Sequence, residues 1–291
     1  MKLIVAGRET TLRRIRHRAG IEMRRAVGKI RHAGRRPEDP AILLILGCQR
    51  SGTTMLSEML ARDARSDVFP EKSGLSDPAD PHGLRLRPLA EVRDRLARNG
   101  ADLRVLKPLV ESQRALEMLE ALPRCRAVWM FRDWRDVVRS NLRMFGTDNG
   151  RKDLAAVLDD PANWRGEGVE AETRRRLRDA APEPSEAEAG ALFWYARNAE
   201  YFRQGLDGDG RVRIVPYEDY VSDPAAETAA IYRLLGMAPP DRMDRYRIFS
   251  GSVGAGRDLA VRPAVADLCD AMLDRLRRAR RDQEAGPGRP G

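Results

Sequence analysis

Cysteine and histidine are both scarce in this chain, which has three of each among its 291 residues. The cysteines, Cys48, Cys125 and Cys269, are odd in number and far apart, and no C-x-x-C pair or Cys/His cluster occurs. Such spacing indicates neither a disulfide framework nor a zinc site. We therefore expect the cysteines to be reduced.

Long apolar runs are missing as well. Residues 41–46 form an unbroken apolar stretch, but a helix that crosses a bilayer needs roughly 20 such residues. Residues 1–7 are too few to hold the apolar region of a signal peptide. From these observations we expect a cytoplasmic protein.

The positive charge is concentrated in one segment. The chain has a formal net charge of +9, and residues 1–36 alone hold twelve Lys or Arg against two Glu. Since the remainder is close to neutral, we expect no nucleic-acid partner for the body of the protein. With 42% hydrophobic and 5% aromatic residues, that body fits one α/β domain.

The basic segment, residues 1–36, has the periodicity of an amphipathic helix. Its apolar positions recur at intervals of three or four residues and are Leu12, Ile15, Ala19, Met23, Ala26 and Ile30. Arginine occupies the other faces, which predicts a basic N-terminal helix. Three roles are open: packing on the domain, self-association, or peripheral contact with a membrane through residues 8–36. His17 and His32 are expected at the surface.

Residues 41–60 predict a buried strand, a tight loop and a helix, in that order. Gly47 and Gly52 bracket four loop residues, as in the phosphate-binding motif G-x-x-x-x-G-K-[ST]. Thr53 replaces the lysine of that motif, and Arg50 supplies a cation from inside the loop. Glycine backbone and a helix N-terminus favour an anion, so we expect a phosphate group without a metal-bound triphosphate. The structural alternative is a turn that needs glycine only for close packing.

Further strands alternate with helices along the chain. Strands are predicted at residues 103–106, 126–131 and 212–217. Short links between alternating strands and helices predict a three-layer α/β fold around a central parallel sheet. Charged residues crowd the helix start that follows the strand 126–131, namely Arg132, Asp133, Arg135 and Asp136. The carboxyl end of such a strand is where an α/β fold binds its ligand.

Changes in composition suggest where the domain begins and ends. The α/β domain is expected over residues 37–280, followed by a flexible tail over residues 281–291. Within the domain, residues 146–190 are expected to form an irregular insertion or lid with a helical piece near residues 170–179. A second glycine-rich loop spans residues 251–256.

Two motifs taken together resemble the sulfotransferases that use 3′-phosphoadenosine 5′-phosphosulfate (PAPS). Residues 47–54, G-C-Q-R-S-G-T-T, are similar to the 5′-phosphosulfate loop of that family in its R-S-G-T-T form. Residues 131–140, F-R-D-W-R-D-V-V-R-S, resemble its 3′-phosphate motif, R-D-P-R-D-x-x-x-S. Since V-L-K-P at 105–108 and V-P-Y-E-D-Y-V-S-D-P at 215–224 are also similar, the likeness covers about residues 40–260.

The resemblance implies a P-loop nucleotide-hydrolase-like sulfotransferase fold and a PAPS-dependent enzyme. Its reaction would move a sulfuryl group to a hydroxyl of a carbohydrate, lipid or small-metabolite acceptor. Carried over by position, it implies that Arg132 and Ser140 hold the 3′-phosphate. The residues implied to hold the 5′-phosphosulfate are Arg50, Ser51, Gly52, Thr53 and Thr54.

The chain departs from the family pattern at two places. Trp134 stands where the 3′-phosphate motif usually has proline, a change that the turn can tolerate. Cytosolic members place a histidine base beside the lysine-proline segment, but Lys107 is followed here by Pro108 and Leu109. The general base must therefore come from elsewhere.

Two residues are candidates for that base. Glu71 resembles a glutamate that several non-cytosolic members place in the loop after the second strand, and His82 is the only histidine outside the basic segment. Negative charge builds on the bridging oxygen of the departing phosphate, where Arg50 and Lys107 are the expected cations. The scheme requires no metal.

Two other functions are open at this point. A P-loop small-molecule kinase or triphosphatase is the alternative within the same fold, and the absent lysine counts against it. A non-catalytic protein that binds a nucleotide or a membrane is the alternative from another class. We expect residues 66–87 and 146–190 to select the acceptor, but neither their composition nor the rest of the sequence identifies it or the oligomeric state.

Overall fold

Five parallel strands form the central sheet of the computed structural model, which describes Val27 and residues 30–160, 162–240 and 250–285. The strand order is β2-β3-β1-β4-β5. In chain order the strands are β1 (Ala41–Gly47), β2 (Ser66–Phe69), β3 (Leu103–Leu106), β4 (Cys125–Phe131) and β5 (Val212–Pro216). The predicted three-layer α/β fold is confirmed.

Ten helices accompany these strands in the described residues. They are α1 (Thr53–Leu60), α2 (Leu89–Ala97), α3 (Ala115–Ala121), α4 (Trp134–Phe145), α5 (Asn149–Asp159), α6 (Ala171–Ala180), α7 (Glu186–Arg203), α8 (Tyr217–Ser222), α9 (Pro224–Leu234) and α10 (Pro263–Ala285). Short 3₁₀ turns cover Leu109–Arg114 and Ser250–Ser252. The first of these turns leads directly into α3.

Strand β1 shows how the two helical layers are held. Its seven residues are all buried, because successive side chains point to opposite faces of the sheet and both faces are covered. Ile42, Leu44 and Leu46 pack in the layer that contains α4, α5, α7 and α10. Leu43 and Ile45 pack with α1, α8 and α9 on the other face. The phosphate loop thus follows a strand that is fixed from both sides.

Residues 146–190 are more regular than the sequence indicated. The helix α6 lies where the helical piece near residues 170–179 was predicted, but α5 was not expected. Glycine and charge within Asn149–Asp159 obscured its apolar face, which buries Leu154 and Val157. The expectation of an irregular segment is therefore wrong for α5.

The last helix continues beyond the predicted end at Arg280. Its final turns reach Ala285, so the tail predicted at 281–291 begins later. Gln283 explains the extension, because its amide accepts from the Ile214 N–H over 3.0 Å and donates to the Val212 carbonyl over 2.7 Å. A side chain thus pairs the free edge of β5, which would otherwise be open to another strand.

The basic N-terminal segment falls largely outside the described residues. Its last part can be followed from Ile30, and there His32 is buried, not exposed as predicted. Nε2 of His32 lies 3.3 Å from the Ser66 carbonyl oxygen at the start of β2. Gly100 meets the same segment so closely that a Cβ there would lie 2.1 Å from the His32 carbonyl oxygen. Within the part of the chain described, no helix has the length and apolar character to cross a membrane.

Candidate active site

The loop between β1 and α1 requires both of its glycines. Gly47 has φ 122°, and a Cβ there would lie 2.1 Å from the Met130 carbonyl oxygen of β4. Gly52 has φ 88°, and a Cβ there would lie 2.5 Å from the Tyr217 ring. Because a side chain fits at neither position, the backbone can make the tight turn only with glycine. Arg50, between them, also adopts a positive φ of 65°.

The loop leaves hydrogen-bonding groups without partners. No side chain caps the N-terminus of α1, so its first N–H groups point toward the loop. Oγ of Ser51 is fully buried and has no hydrogen-bond partner among the described residues. A buried polar atom is normally paired, and this one lies where the helix dipole favours negative charge. The loop residues therefore fit a phosphate or sulfate group.

The two predicted phosphate sites meet through one hydrogen bond. Nε of Arg50 in the loop donates to Oγ of Ser140 on α4 over 2.9 Å. Burial lowers the pKa of Arg50, and the neighbouring guanidinium of Arg132 lowers it further. Two like charges held this close, one of them buried, favour an anion between them. The fold thus brings Arg50, Arg132 and Ser140 together across 90 residues of sequence.

Arg132 is held from three sides at the carboxyl end of β4. The side chain is 5% exposed, and its Nη2 lies 3.3 Å from Oδ2 of Asp136. The guanidinium carbon is 4.3 Å from the centre of the Tyr217 ring, and Nη2 donates to the Ser252 carbonyl. Within the described part of the chain, its buried Nε has no hydrogen-bond partner. The guanidinium is fixed and retains a donor for a ligand.

Asp136 has a role that sequence reasoning missed. Its two carboxylate oxygens accept hydrogen bonds from the N–H groups of Gly254 and Gly256, each over 2.8 Å. This carboxylate therefore fixes the second glycine-rich loop against the start of α4, beside Arg132. The glycines at 251–256 were the only signal in the sequence, because some 120 positions separate Asp136 from them.

Lys107 links the candidate base to the phosphate loop. Its Nζ donates to Oγ1 of Thr54 over 3.0 Å and lies 2.8 Å from Oε1 of Glu71. Lys107 is 9% exposed, so both contacts are largely shielded from water. The structure thereby brings together Glu71, Lys107 and Thr54. His82, by contrast, is exposed on the turn at residues 80–83.

The loops expected to select the acceptor are joined by a buried carboxylate. Glu111 is completely buried, and its Oε1 accepts from Nε of Arg85 and from the Leu86 N–H, over 2.8 and 2.9 Å. The same guanidinium donates to Glu167 over 2.9 Å. Residues 66–87 and 146–190 are therefore connected through Arg85.

Asp153 connects α5 directly to the phosphate loop. Its carboxylate accepts from the Gln49 amide over 3.1 Å and from Nε of Arg165 over 2.6 Å. Since Asp153 is 4% exposed, these bonds are shielded from water. The segment that sequence composition suggested as a lid thus contacts the second residue after Gly47.

Trp134 replaces the family's proline without loss of the turn. Asp133 caps α4 by accepting from the Arg135 N–H over 2.9 Å. The buried indole of Trp134 donates to Asp270 of α10 over 2.8 Å. The helix start is therefore fixed by a cap and by packing, as the sequence interpretation allowed.

The three cysteines are free, as predicted, and all three are buried. Burial raises the pKa of the thiols of Cys48 and Cys125 to about 12 and also raises that of Cys269. None is thus a nucleophile near neutral pH. In the described ranges no group of three or more His, Cys, Asp or Glu side chains is arranged to bind a metal ion. That the reaction needs no metal stays a prediction.

Fold and site together define an α/β protein of the P-loop type with two adjacent cationic sites at the carboxyl ends of β1 and β4. Comparison with known families agrees. A family model described as a sulfotransferase domain matches residues 40–250. The chain belongs to that family, and it is a transferase that acts on sulfuryl groups.

Solved structures give the same architecture. The sulfotransferase domain of the Synechococcus PCC 7002 olefin synthase has a TM-score of 0.53 at 17% identity, and the match covers 82% of this chain and 98% of that one. A sulfotransferase from Alicyclobacillus acidocaldarius has a TM-score of 0.48 at 17% identity, over 84% of this chain and 95% of that one. At such identities the likeness to the olefin synthase domain supports the fold alone. A search of curated proteins found no match.

Proposed function

We propose that this chain transfers a sulfuryl group from PAPS to a hydroxyl group of a carbohydrate, lipid or small-metabolite acceptor. The observation that carries the proposal is the hydrogen bond from Arg50 to Ser140. This bond joins a loop that fits a phosphosulfate to a helix start that fits a phosphate. PAPS carries these two groups on the 5′ and 3′ oxygens of one ribose.

The donor would be held by the phosphate loop and by the start of α4. Arg50, Ser51, Gly52, Thr53 and Thr54 form the 5′ site in this proposal. Arg132 and Ser140 form the 3′ site, where the free Nε of Arg132 and the hydroxyl of Ser140 offer donors to a phosphate. Asp136 and the loop 251–256 position Arg132.

In the transfer, the acceptor oxygen forms a bond to sulfur while the bond from sulfur to the bridging phosphate oxygen breaks. The products are a sulfate ester and adenosine 3′,5′-bisphosphate. Arg50 and Lys107 stabilise the negative charge that develops on the bridging oxygen, as cations do in phosphoryl transfer. Glu71, beside Lys107, takes the proton of the acceptor hydroxyl. His82 is the second candidate for that role.

In this proposal the two connected loops, residues 66–87 and 146–190, select the acceptor that is presented to Glu71. Arg85 links those loops through Glu111 and Glu167. The three free, buried cysteines fit a cytoplasmic location, which is also part of the proposal.

Calorimetric titration with adenosine 3′,5′-bisphosphate tests the donor site. We expect micromolar binding that weakens about tenfold or more in Arg132→Ala and in Arg50→Ala, because each variant removes a charged donor from a largely buried phosphate site. Arg139→Ala is the matched control, since Arg139 lies on the same helix and has no described partner. A preference for ATP with magnesium would overturn the proposal in favour of a kinase, and binding without transfer to any acceptor would favour a non-catalytic protein.

A further inference from the structure

A cavity lined by arginines lies at the amino ends of the central strands, whereas the phosphate loop lies at their carboxyl ends. It has a volume of about 580 Å³ and reaches Ile42 and Arg104, near the amino ends of β1 and β3. Five arginines line it: Arg35, Arg36, Arg93, Arg98 and Arg104. Its other lining residues are glycine, proline and aliphatic residues, so no acidic side chain offsets this charge within the lining.

Arg104 is an unusual residue for its position. It is the second residue of β3, a strand with neighbours on both sides, and it is only 4% exposed. Strands buried on both faces are normally apolar throughout. A guanidinium here requires either a carboxylate partner or another anion.

No carboxylate of the described residues lies within 4.0 Å of this guanidinium. Nη2 of Arg104 donates to the Asn99 carbonyl, and in the described ranges its buried Nε has no hydrogen-bond partner. Asp67, the residue opposite Arg104 on β2, instead accepts from the Asn99 amide over 2.7 Å. Asp102, whose charge favours the protonated form of Arg104, is itself bound to Arg35 over 3.2 Å. Burial lowers the pKa of Arg104 in spite of that charge.

The mouth of the cavity adds further positive charge. Arg36 and Arg98 are exposed and have no ion-pair partner among the described residues, whereas Arg93 lies 3.8 Å from Asp94. A buried guanidinium at the base and exposed ones at the rim suit a planar, doubly hydrogen-bonded contact with a phosphate.

We propose that this cavity binds a phosphate group, carried either by a free phosphate ester or by the headgroup of an anionic lipid. The site is separate from the donor loop and does not depend on the proposed reaction. The lipid source has a structural basis, because Val27 and Ile30 just before the cavity are 46% and 79% exposed. Apolar side chains next to arginines are the combination that binds a membrane surface.

Titration with inorganic phosphate tests the site itself. The experiment uses the full chain with Arg50→Ala, which removes a cation of the donor loop, and compares it with the same chain carrying Arg104→Leu in addition. We expect the second substitution to weaken phosphate binding about tenfold or more. The third protein carries Arg178→Leu in addition to Arg50→Ala and controls for the loss of one charge, because Arg178 is an exposed residue of α6. Equal phosphate affinity in all three proteins, or equal loss in both arginine variants, would overturn the proposal.

Thermal unfolding shows whether Arg104→Leu still folds. Removing a buried charge that lacks a carboxylate should leave the melting temperature of the phosphate-free protein unchanged or higher. If that variant fails to fold, Arg36→Ala/Arg98→Ala replaces it, since both side chains are exposed and line the same cavity. Unchanged phosphate affinity in this pair would likewise overturn the proposal.

Vesicles distinguish the two sources of phosphate. Sedimentation measures how much protein binds to phosphatidylglycerol vesicles, with phosphatidylcholine vesicles as the neutral control. Arg104→Leu and Arg178→Leu are each made here in the chain that keeps Arg50. Loss of phosphatidylglycerol binding in Arg104→Leu but not in Arg178→Leu would assign the cavity to a lipid headgroup. Phosphate binding that depends on Arg104, with vesicle binding that does not, would assign it to a free phosphate ester.

Discussion

Nζ of Lys107 lies 2.8 Å from Oε1 of Glu71 and 3.0 Å from Oγ1 of Thr54. The ammonium therefore connects the candidate base to the first turn of the phosphate-loop helix. The carboxylate thus lies within ion-pair distance of a largely buried ammonium. Donor loop and base are thus positioned by one side chain.

This relationship predicts the effect of Glu71→Gln. We expect kcat for sulfuryl transfer to fall by ~10²- to 10⁴-fold, the usual contribution of a general base, with little change in affinity for adenosine 3′,5′-bisphosphate. The measurement is transfer from labelled PAPS to an acceptor found by screening. Glu91→Gln, at an exposed position of α2, controls for the loss of one charge. Activity that survives Glu71→Gln but is lost in His82→Gln would move the base to His82.

A second prediction concerns Asp136→Asn. The substitution removes the charge that pairs with Arg132, at 3.3 Å, and weakens the bonds to Gly254 and Gly256. Because both charges are buried, we expect the free energy of unfolding to fall by roughly 3–5 kcal/mol, as measured by urea denaturation. Asp94→Asn, an exposed carboxylate on α2, should change it by less than about 0.5 kcal/mol. Equal stability of the two variants would contradict the role assigned to Asp136.

Hydrogen exchange gives a further readout of the same substitution. If Asp136 holds the loop 251–256, the amides of Gly254 and Gly256 should exchange faster in Asp136→Asn than in the unaltered chain. Amides of β1 should keep their protection at matched stability. Unchanged exchange at the two glycines would show that other contacts hold the loop.

A third prediction is a dependence of stability on pH through Glu188. Burial raises the pKa of this carboxyl, but hydrogen bonds from Arg262 and Ser185 outweigh that effect and hold the pKa at about 2, below its ordinary value of 4.5. Because the folded-state pKa is depressed, this stabilisation is complete above pH 4.5 and is lost as the pH falls toward 2. Urea midpoints of the chain and of Glu188→Gln should therefore differ at pH 6 and converge in acid. A constant difference between them would contradict the assignment.

A fourth prediction concerns the thiols. Burial raises the pKa of Cys48 and Cys125 to about 12, so at pH 8 almost no thiolate is present in the folded protein. We expect iodoacetamide to leave all three cysteines unmodified in the native state and to modify them in urea. Mass spectrometry after digestion measures the alkylated fraction of each cysteine in the native state and in urea. Rapid native alkylation of Cys48 would show that the phosphate loop opens.

Much of the fold could be predicted because it depends on neighbours in sequence. The strand before the phosphate loop is an unbroken apolar run that ends at a glycine. The strand before Arg132 is also mostly apolar and ends where charged residues begin, so local composition indicates both strands. Leu103–Leu106 was predicted to the residue for the same reason. The helix α5 was missed because its apolar positions are few and its remaining surface is polar.

The residues that hold the site in place were less predictable. Arg50 and Ser140 could be assigned to two phosphate groups, but their contact arises only when β1 and β4 pair in the sheet. Asp136 looked like one member of a charged helix start, and its partners lie some 120 positions away. Burial of His32 depends on the packing of residues 30–36 against β2, which no local pattern reveals.

Sequence alone indicated the family and the parallel α/β architecture and supplied the candidate residues of the two proposed anion sites, because strand periodicity, glycine spacing and helix starts are local properties. Tertiary structure decided which side chains touch: Lys107 contacts Glu71, and Asp136 contacts the loop 251–256. It also placed Arg104 beyond 4.0 Å of every carboxylate in the described part of the chain, with its buried Nε unpaired there. The physical reason is that burial and pairing of charge depend on segments that are distant in sequence and adjacent only after the sheet has formed.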